Sequence, residues 1–295
     1  MESFHGQPGL TLIIIKLLDN PVDVLKTKMK KLFTILFLFT AFIANAQRSM
    51  FASKNNYVAP VGPPALVTAG LVLNLDAGNL SSYSGTGTTW TDLSGRGNHG
   101  TLVNSVTFSS SNQGYFVFNG NGSYVGSGGY NPYVSLPRST DLDFGADDFT
   151  VELWTLTTTA NPHPEYITLN VNGLSYAAFR MEYWNGNVNL LHSYDGTSHA
   201  SGSPFTITMN AWQHIVVSRI AGSAVVYVNG VSKLAYSLPG SLIGQQNSQI
   251  GNLGRENSFY SFSGNIATTK IYKGKGLTST EVLTQFDLTK SRFGL

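Results

Sequence analysis

The carboxylates best placed to do chemistry lie in one short run, Asp141, Asp143, Asp147 and Asp148. Hard cations such as calcium take several carboxylate and carbonyl oxygens from a loop, so this run is a candidate calcium site. Its spacing fits no EF-hand loop. The simpler alternative is a solvated turn, in which Asp147 or Asp148 caps the loop before Phe149. Both interpretations stay open at this point.

Asp76 and Asn79 form a second, weaker oxygen cluster in a loop rich in Gly, Ser and Thr. Short polar side chains in such loops usually bond nearby backbone N–H groups. We therefore expect Asp76 to hold an Asx-type turn, and Asp92 to play the same structural role.

A group of aromatic and polar side chains near one hairpin could bind a sugar. Sugars present CH surfaces to aromatic rings and hydroxyls to Asp, Asn and His. Trp184 stands at the turn Asn185-Gly186-Asn187, where rings are often exposed. The alternative is packing on an edge strand. The candidate ligand-binding residues are Trp184, Tyr183, His192, Tyr194, Asp195 and His199.

Of the other three tryptophans, Trp154 and Trp212 stand in strand-like stretches, and Trp90 is the one large side chain in a loop rich in Gly, Ser and Thr. Large aromatic side chains in such contexts usually fill the core. We expect these three to be packing residues rather than sugar platforms.

Catalytic signatures are missing. A retaining glycoside hydrolase needs two carboxylates about 5–5.5 Å apart on one face. After the first 68 residues, no Glu has a second acid two to four positions downstream, and Glu152 stands alone on its strand. The nucleophile elbow, the zinc-binding helix motif and the P-loop are also absent. We therefore predict no paired carboxylates and no enzyme; the alternative is a distant acid that converges on Glu152.

Composition excludes several classes of function. The net charge of +2 comes from the segment before residue 47, whose five Lys outnumber three acids, so the remainder is balanced. Without a basic patch, nucleic acid is not an expected partner. The chain has no Cys, which excludes disulfides, thiolate metal sites and Cys nucleophiles.

The N-terminal segment indicates export. Met29-Lys30-Lys31 precedes an apolar stretch, residues 32–43, and then Ala44-Asn45-Ala46. This order is typical of a signal peptide over 29–46, and the stretch is too short to span a bilayer. A buried helix is the alternative. Residues 1–28 are an upstream extension, with Met29 a candidate true start, and 47–68 a Pro-rich linker. We expect a secreted or cell-surface protein with no transmembrane segment in the mature chain.

From 69 to 295 we predict one all-β domain. Short strand-like runs alternate with turn residues, which is typical of an antiparallel two-sheet sandwich rather than of βαβ units. Asn229-Gly230 predicts a type I′ hairpin, and the apolar run Trp212–Arg219 predicts a central strand covered on both faces. Thr278-x-x-Glu281 is a capping box, which predicts a helix from Ser279 to about Leu288.

Several motifs together resemble the concanavalin A-like, laminin-G-type jelly-roll superfamily. They are LDAGN (75–79), WTDLSG (90–95), FTVELW (149–154), WQHIVV (212–217), YVNG (227–230), FSGNI (262–266) and the closing LTSTEVL (277–283). The resemblance implies two antiparallel sheets of six or seven strands. Members commonly bind carbohydrate or protein, often with calcium, and some hydrolyse β-glucans. Modules of this kind occur in secreted bacterial proteins and in phage tail or head-decoration proteins.

These observations favour a secreted, non-enzymatic carbohydrate- or surface-binding module that serves adhesion or recognition. The expected partner is a glycan or surface polymer, and other proteins are a further class. A phage virion or cell-surface structural protein is the alternative, since Arg292-Phe293-Gly294-Leu295 resembles the ends of phage-borne copies. A β-glucan hydrolase is the third hypothesis.

Overall fold

The computed structural model describes residues 25–26, 28–35, 65–120, 131–158, 164–172, 176–184, 186–194, 198, 200–202, 204–242, 248–253 and 260–295. The chain divides into two compact units, residues 1–62 and 63–295. In the first unit, residues 28–35 are helical. None of the helices described is long and apolar enough to cross a membrane. The predicted cleavage site at 44–46 lies outside the described residues, so the signal peptide stays a prediction.

In the described part of the second unit, most of the regular secondary structure is strand. In chain order they are β1 Leu71–Asp76, β2 Thr89–Trp90, β3 Gly100–Val103, β4 Thr107–Ser109, β5 Tyr115–Asn119, β6 Tyr133–Leu136, β7 Phe149–Thr157, β8 Glu165–Asn172, β9 Tyr176–Trp184, β10 Asn187–His192, β11 Ala200–Ser201, β12 Trp212–Ile220, β13 Ser223–Val228, β14 Val231–Ser237, β15 Ser248–Ile250 and β16 Ser263–Lys273.

These strands form two antiparallel sheets of eight strands each. Sheet 1 has the order β14-β13-β12-β7-β16-β5-β4, and β1 also pairs with β16. Sheet 2 has the order β11-β10-β9-β8-β15-β6-β3-β2. The predicted two-sheet jelly-roll sandwich is confirmed. Each sheet exceeds the expected six or seven strands because it includes very short ones, such as β2 and β11 with two residues each.

The core lies between the sheets because one face of each sheet is apolar. Across sheet 2, register-paired residues form an inward row of Leu190, Met181, Ile167, Ile250, Val134 and Leu102. All six belong to the buried core cluster. Side chains alternate between faces along a strand, so the neighbouring rows point away from sheet 1. We call that side the outer face of sheet 2.

The outer face of sheet 1 is covered by the C-terminal helix, Ser279–Thr289, and a 3-10 turn, Lys290–Phe293. The predicted capping box is present, with Thr278 and Glu281 each bonding the other's backbone N–H. Val282 packs with Val216 in a buried cluster on this side, which confirms that β12 is covered on both faces.

The chain end is anchored on the same side. Phe293 stacks on Trp154 with ring centroids 4.1 Å apart. Arg292 Nη1 donates to Asp76 Oδ1 at 2.7 Å, and that oxygen also accepts the N–H of Gly78 at 2.8 Å. The expected Asx-type turn at Asp76 is therefore confirmed. Asp92 has the same role, since it accepts the backbone N–H groups of Asn74, Ser94 and Asn98.

The clearest local prediction is also confirmed. Asn229 and Gly230 join β13 to β14 with φ angles of 52° and 75°. Two consecutive positive φ angles are what a type I′ turn requires, and Asn-Gly adopts them at the lowest cost.

Candidate functional site: the outer face of sheet 2

The outer face of sheet 2 is polar where the inner face is apolar. Residues paired directly across strands lie side by side on one face. One such row is formed by Leu191, Arg180, Thr168, Gln249, Ser135, Thr101 and Thr89. Its two ends are partly or fully exposed, and its middle is buried. Six polar residues in one row are the pattern of a recognition surface rather than of a core.

Three charged residues meet in the next part of this face. Glu165 on β8 pairs in register with Glu182 on β9. Arg180 Nη2 donates to Glu165 Oε1 and to Glu182 Oε2. The Tyr260 ring centroid lies 5.5 Å from Arg180 Cζ. Because both carboxylates bond one nitrogen, their oxygens lie within about 6 Å of each other. The prediction that no two carboxylates meet is wrong, because it considered only acids close in sequence.

Burial sets the protonation state of this cluster. Burial raises the pKa of Glu165 to about 8, against the opposing effect of Arg180 and with help from the charge of Glu182. At neutral pH Glu165 therefore keeps its proton. Within the described ranges, three buried polar atoms here have no hydrogen-bond partner: Glu165 Oε2, Arg180 Nε and Thr168 Oγ1. A buried polar atom costs free energy unless another group bonds it.

Trp184 is the last residue of β9 and lies on the outer face of sheet 2. Arg180, Glu182 and Trp184 share one face of β9, because side chains two residues apart lie on the same side. The Trp184 side chain is 53% exposed. Its register partner is Asn187, and Asn189 pairs with Glu182. An exposed indole is thus bordered by amide and carboxylate side chains.

The remaining tryptophans behave as predicted. Trp90 and Trp154 are fully buried, and Trp212 is partly buried and packs against Phe293. Their packing role is confirmed.

The other predicted ligand-binding residues lie elsewhere. Tyr183 points into the core, on the opposite face of β9 from Trp184. His192 is buried and meets Tyr194 edge to face, with ring centroids 4.9 Å apart. Asp195 and His199 lie outside the described residues. His192 thus contacts Tyr194, whereas Trp184 and Tyr183 lie on opposite faces of the sheet. The ligand-binding roles of these residues stay predictions.

The predicted calcium loop is held by protein partners. Asp141 accepts Arg96 Nη2 at 2.6 Å and Nε at 3.0 Å. This pairing with Arg96 lowers the pKa of Asp141. The backbone N–H of Asp143 closes the 3-10 turn Thr140–Leu142. Each of these two residues therefore has a structural role in its turn.

The other two acids of the predicted calcium loop, Asp147 and Asp148, also lie close to protein groups. Asp148 Oδ1 accepts the N–H of Ala221 at 2.8 Å. The Asp147 carboxylate is exposed and lies 3.9 Å from Lys273 Nζ. In the described ranges no three His, Cys, Asp or Glu side chains converge as a metal site. These four residues do not fit a calcium site as they stand, and the calcium role stays a prediction.

Glu152 is buried in sheet 1, on the face beneath the C-terminal helix. Lys270 Nζ lies 2.7 Å and His214 Nε2 lies 3.2 Å from its Oε1. Burial by itself raises the pKa of Glu152, but Lys270 and His214 together lower it to about 2. Glu152 is therefore a charged structural group and does not face the sheet 2 site.

The sequence analysis did not single out Glu165, Arg180 or Glu182 as site residues. A signal was available, because Arg180, Glu182 and Trp184 alternate with the apolar Phe179, Met181 and Tyr183. Three polar or exposed positions in alternation on a strand mark a face that is not core.

The chain resembles a known protein family and several solved structures. A model of the Concanavalin A-like lectin/glucanases superfamily, the Laminin_G_3 family, matches residues 127–283. The chain is similar in structure to the binding domain of Paraclostridial Mosquitocidal Protein 1, with a TM-score of 0.56, 16% identity and coverage of 74% of this chain and 52% of that one. No match was found among curated protein sequences.

Two further solved structures are binding domains of Botulinum neurotoxin DC. One is in complex with SialylT, with a TM-score of 0.57, 13% identity and coverage of 75% and 52%. The other is in complex with rat synaptotagmin II, with a TM-score of 0.57, 14% identity and the same coverage. This chain thus spans about half the length of these structures. Since the family match covers more than half of the chain and the two-sheet sandwich agrees with it, the chain belongs to the concanavalin A-like lectin/glucanases superfamily.

Proposed function

We propose that this protein is a non-enzymatic module that binds a glycan through the outer face of sheet 2. The observation that carries the proposal is the position of Trp184. It is the most exposed of the four tryptophans, and it stands on the face that bears Arg180 and Glu182. An exposed indole costs free energy unless a ligand or partner covers it, because its apolar surface remains in water.

The chemistry of this face suits a sugar. The Trp184 ring offers an apolar platform for the CH surface of a pyranose, and Asn187 and Asn189 border it with amide groups. These amide groups offer hydroxyl-binding partners beside a stacking surface, which is the usual composition of a ligand site.

The similar structures support binding rather than catalysis. Their names describe binding domains, and two were solved with a glycan or a protein partner. Their identity of 13–16% to this chain supports the fold. A role in adhesion or recognition outside the cell is part of our proposal and depends on the signal-peptide pattern at 29–46.

A panel of polysaccharides tests the proposal. We expect the wild-type protein to bind at least one member in pull-down and calorimetry, measured with and without calcium. Trp184→Ala should weaken binding by about 2 kcal/mol, or roughly 30-fold in Kd, as central aromatic anchors commonly do. Leu80→Ala is the matched control, since Leu80 is 80% exposed. Equal affinity of both variants and wild type would exclude this face as the binding site.

Export has its own test. We expect expression in a secreting bacterial host to yield a mature protein that begins at Gln47, as the Ala44-Asn45-Ala46 pattern predicts. N-terminal sequencing of the extracellular fraction measures this directly. Retention of the intact chain inside the cell would contradict secretion.

A second candidate function rests on the Glu165 and Glu182 pair. Two carboxylates within about 6 Å, one of them protonated at neutral pH, resemble the acid and nucleophile of a retaining glycosidase. Arg180 between them and the near-complete burial of both favour a structural pair. Incubation with laminarin and other β-glucans distinguishes the two. Release of reducing ends that Glu182→Gln abolishes would establish the hydrolase.

A further inference from the structure

A second polar cluster lies at the other end of β10 from the turn that carries Trp184. Arg219 on β12 pairs with Phe149 on one side and with Ala224 on the other. Ala224 pairs in turn with Tyr236 on β14. Neighbouring strands are about 4.8 Å apart, so Arg219 and Tyr236 stand about 10 Å apart on either side of one small methyl group. Their long side chains can therefore meet over Ala224.

Arg219 is buried, and its direct hydrogen bonds go to neutral groups. It is 1% exposed, and its guanidinium lies over the Phe149 ring, 5.2 Å from the centroid. Nη1 donates to the carbonyl of Gly240 at 3.2 Å, and Nη2 donates to the carbonyls of Gly145 and Asp147. Burial lowers the pKa of Arg219, and the nearby charges of Asp148 and Asp147 oppose this effect. Among the described residues neither carboxylate bonds Arg219 directly, because Asp148 bonds Ala221 and Asp147 lies beside Lys273.

Two donors in this cluster have no acceptor among the residues that the structure describes. They are Arg219 Nε and the Tyr236 hydroxyl, and both are buried. The rings of Tyr236 and Tyr194 are partly exposed, so the cluster adjoins the surface. Tyr194 closes it on the Gly240 side, where an added Cβ would lie 3.4 Å from the tyrosine ring.

A buried guanidinium without a directly bonded anion costs free energy, and so does each donor without an acceptor. An oxyanion would accept from both groups, in charge-assisted hydrogen bonds. We propose that Arg219 and Tyr236, walled by Tyr194, form a binding site for an oxyanion: a sulfate, phosphate or carboxylate group. The site is separate from the sheet 2 face, because Arg219 and Tyr236 belong to the inner face of sheet 1.

The test is a titration of the full chain with sodium sulfate against sodium chloride at constant ionic strength. We expect a saturable rise in the thermal midpoint with sulfate alone. Tyr236→Phe keeps the ring and removes one donor, and should weaken sulfate binding about 10-fold or more. Arg219→Gln should abolish it. Tyr227→Phe, on the outer face of the same sheet, is the matched control and should bind as wild type.

A second arm identifies the source of the oxyanion. Dextran sulfate and unsulfated dextran are compared, with inorganic sulfate as competitor. Binding of inorganic sulfate alone assigns the site to a free ion, and sulfate-competed binding of dextran sulfate assigns it to a group on a polymer. A midpoint that responds identically to sulfate and chloride in wild type would overturn the proposal, and so would unchanged sulfate affinity in folded Tyr236→Phe.

Discussion

Replacing Glu165 by Gln should change how stability depends on pH. Burial raises the pKa of Glu165 from its ordinary value of 4.5 to about 8. Between these values the folded protein keeps a proton that the unfolded chain has lost. The free energy of unfolding therefore falls as pH rises from 4.5 to about 8, and is level above that. Gln resembles the protonated acid in shape and charge, and it does not titrate.

The size of this stability change follows from the difference between the two pKa values of Glu165. At about 1.4 kcal/mol per pKa unit, the span from 4.5 to about 8 corresponds to about 5 kcal/mol. We expect wild type and Glu165→Gln to be similar near pH 5. The variant should then gain on wild type by about 1.4 kcal/mol per pH unit up to pH 8, which amounts to about 4 kcal/mol between pH 5 and pH 9.

Urea unfolding followed by fluorescence at five pH values from 5 to 9 measures this difference. Taking the difference between variant and wild type cancels the contribution of titrating groups that do not interact with Glu165. Asp287→Asn is the control, because Asp287 is half exposed on the C-terminal helix and its variant should track wild type. Parallel stability curves for wild type and Glu165→Gln would refute the assigned protonation state.

Three further predictions concern residues that stabilise the fold. Glu152→Gln leaves Lys270 buried without its anion and should lower the free energy of unfolding by about 3–5 kcal/mol in urea at pH 7. Wild type should lose stability as pH falls from 4.5 towards 2, and the variant should lose less; an unchanged urea midpoint would contradict the ion pair. Asn229→Ala places a β-carbon at φ 52° and should cost about 1–2 kcal/mol by thermal unfolding, whereas Asn229→Gly should cost less; equal losses would argue against the type I′ turn. Phe293→Ala removes the ring stacked on Trp154 and should cost about 3–5 kcal/mol with a change in the near-ultraviolet circular dichroism; a silent substitution would mean that the chain end does not dock.

Features encoded by a few adjacent residues could be predicted from the sequence. The Asn229-Gly230 turn, the capping box of Thr278 and Glu281, and the Asx turn at Asp76 each depend on residues within three or four positions. The burial of Trp90 and Trp154 was also predictable, because their neighbours are apolar or strand-forming. Local chemistry and alternation specify these features without knowledge of the fold.

Pairings between distant strands could not be predicted in the same way. Arg180 and Glu165 are 15 residues apart, and a register irregularity between Glu165 and Ile167 decides which side chains face Glu182. Arg96 and Asp141 are 45 residues apart, and their ion pair engages one of the carboxylates that were predicted to bind calcium. Register and bulges fix such partners, and a shift of one residue would send each side chain to the other face.

We propose that a ligand covers the outer face of sheet 2 around Trp184. Hydrogen–deuterium exchange of the full chain, with and without a saturating oligosaccharide from the panel, measures this coverage. We expect ligand-dependent protection in β9 and β10, with none in the helix Ser279–Thr289. Protection confined to that helix or to the loop between β1 and β2, with β9 and β10 unchanged, would contradict it.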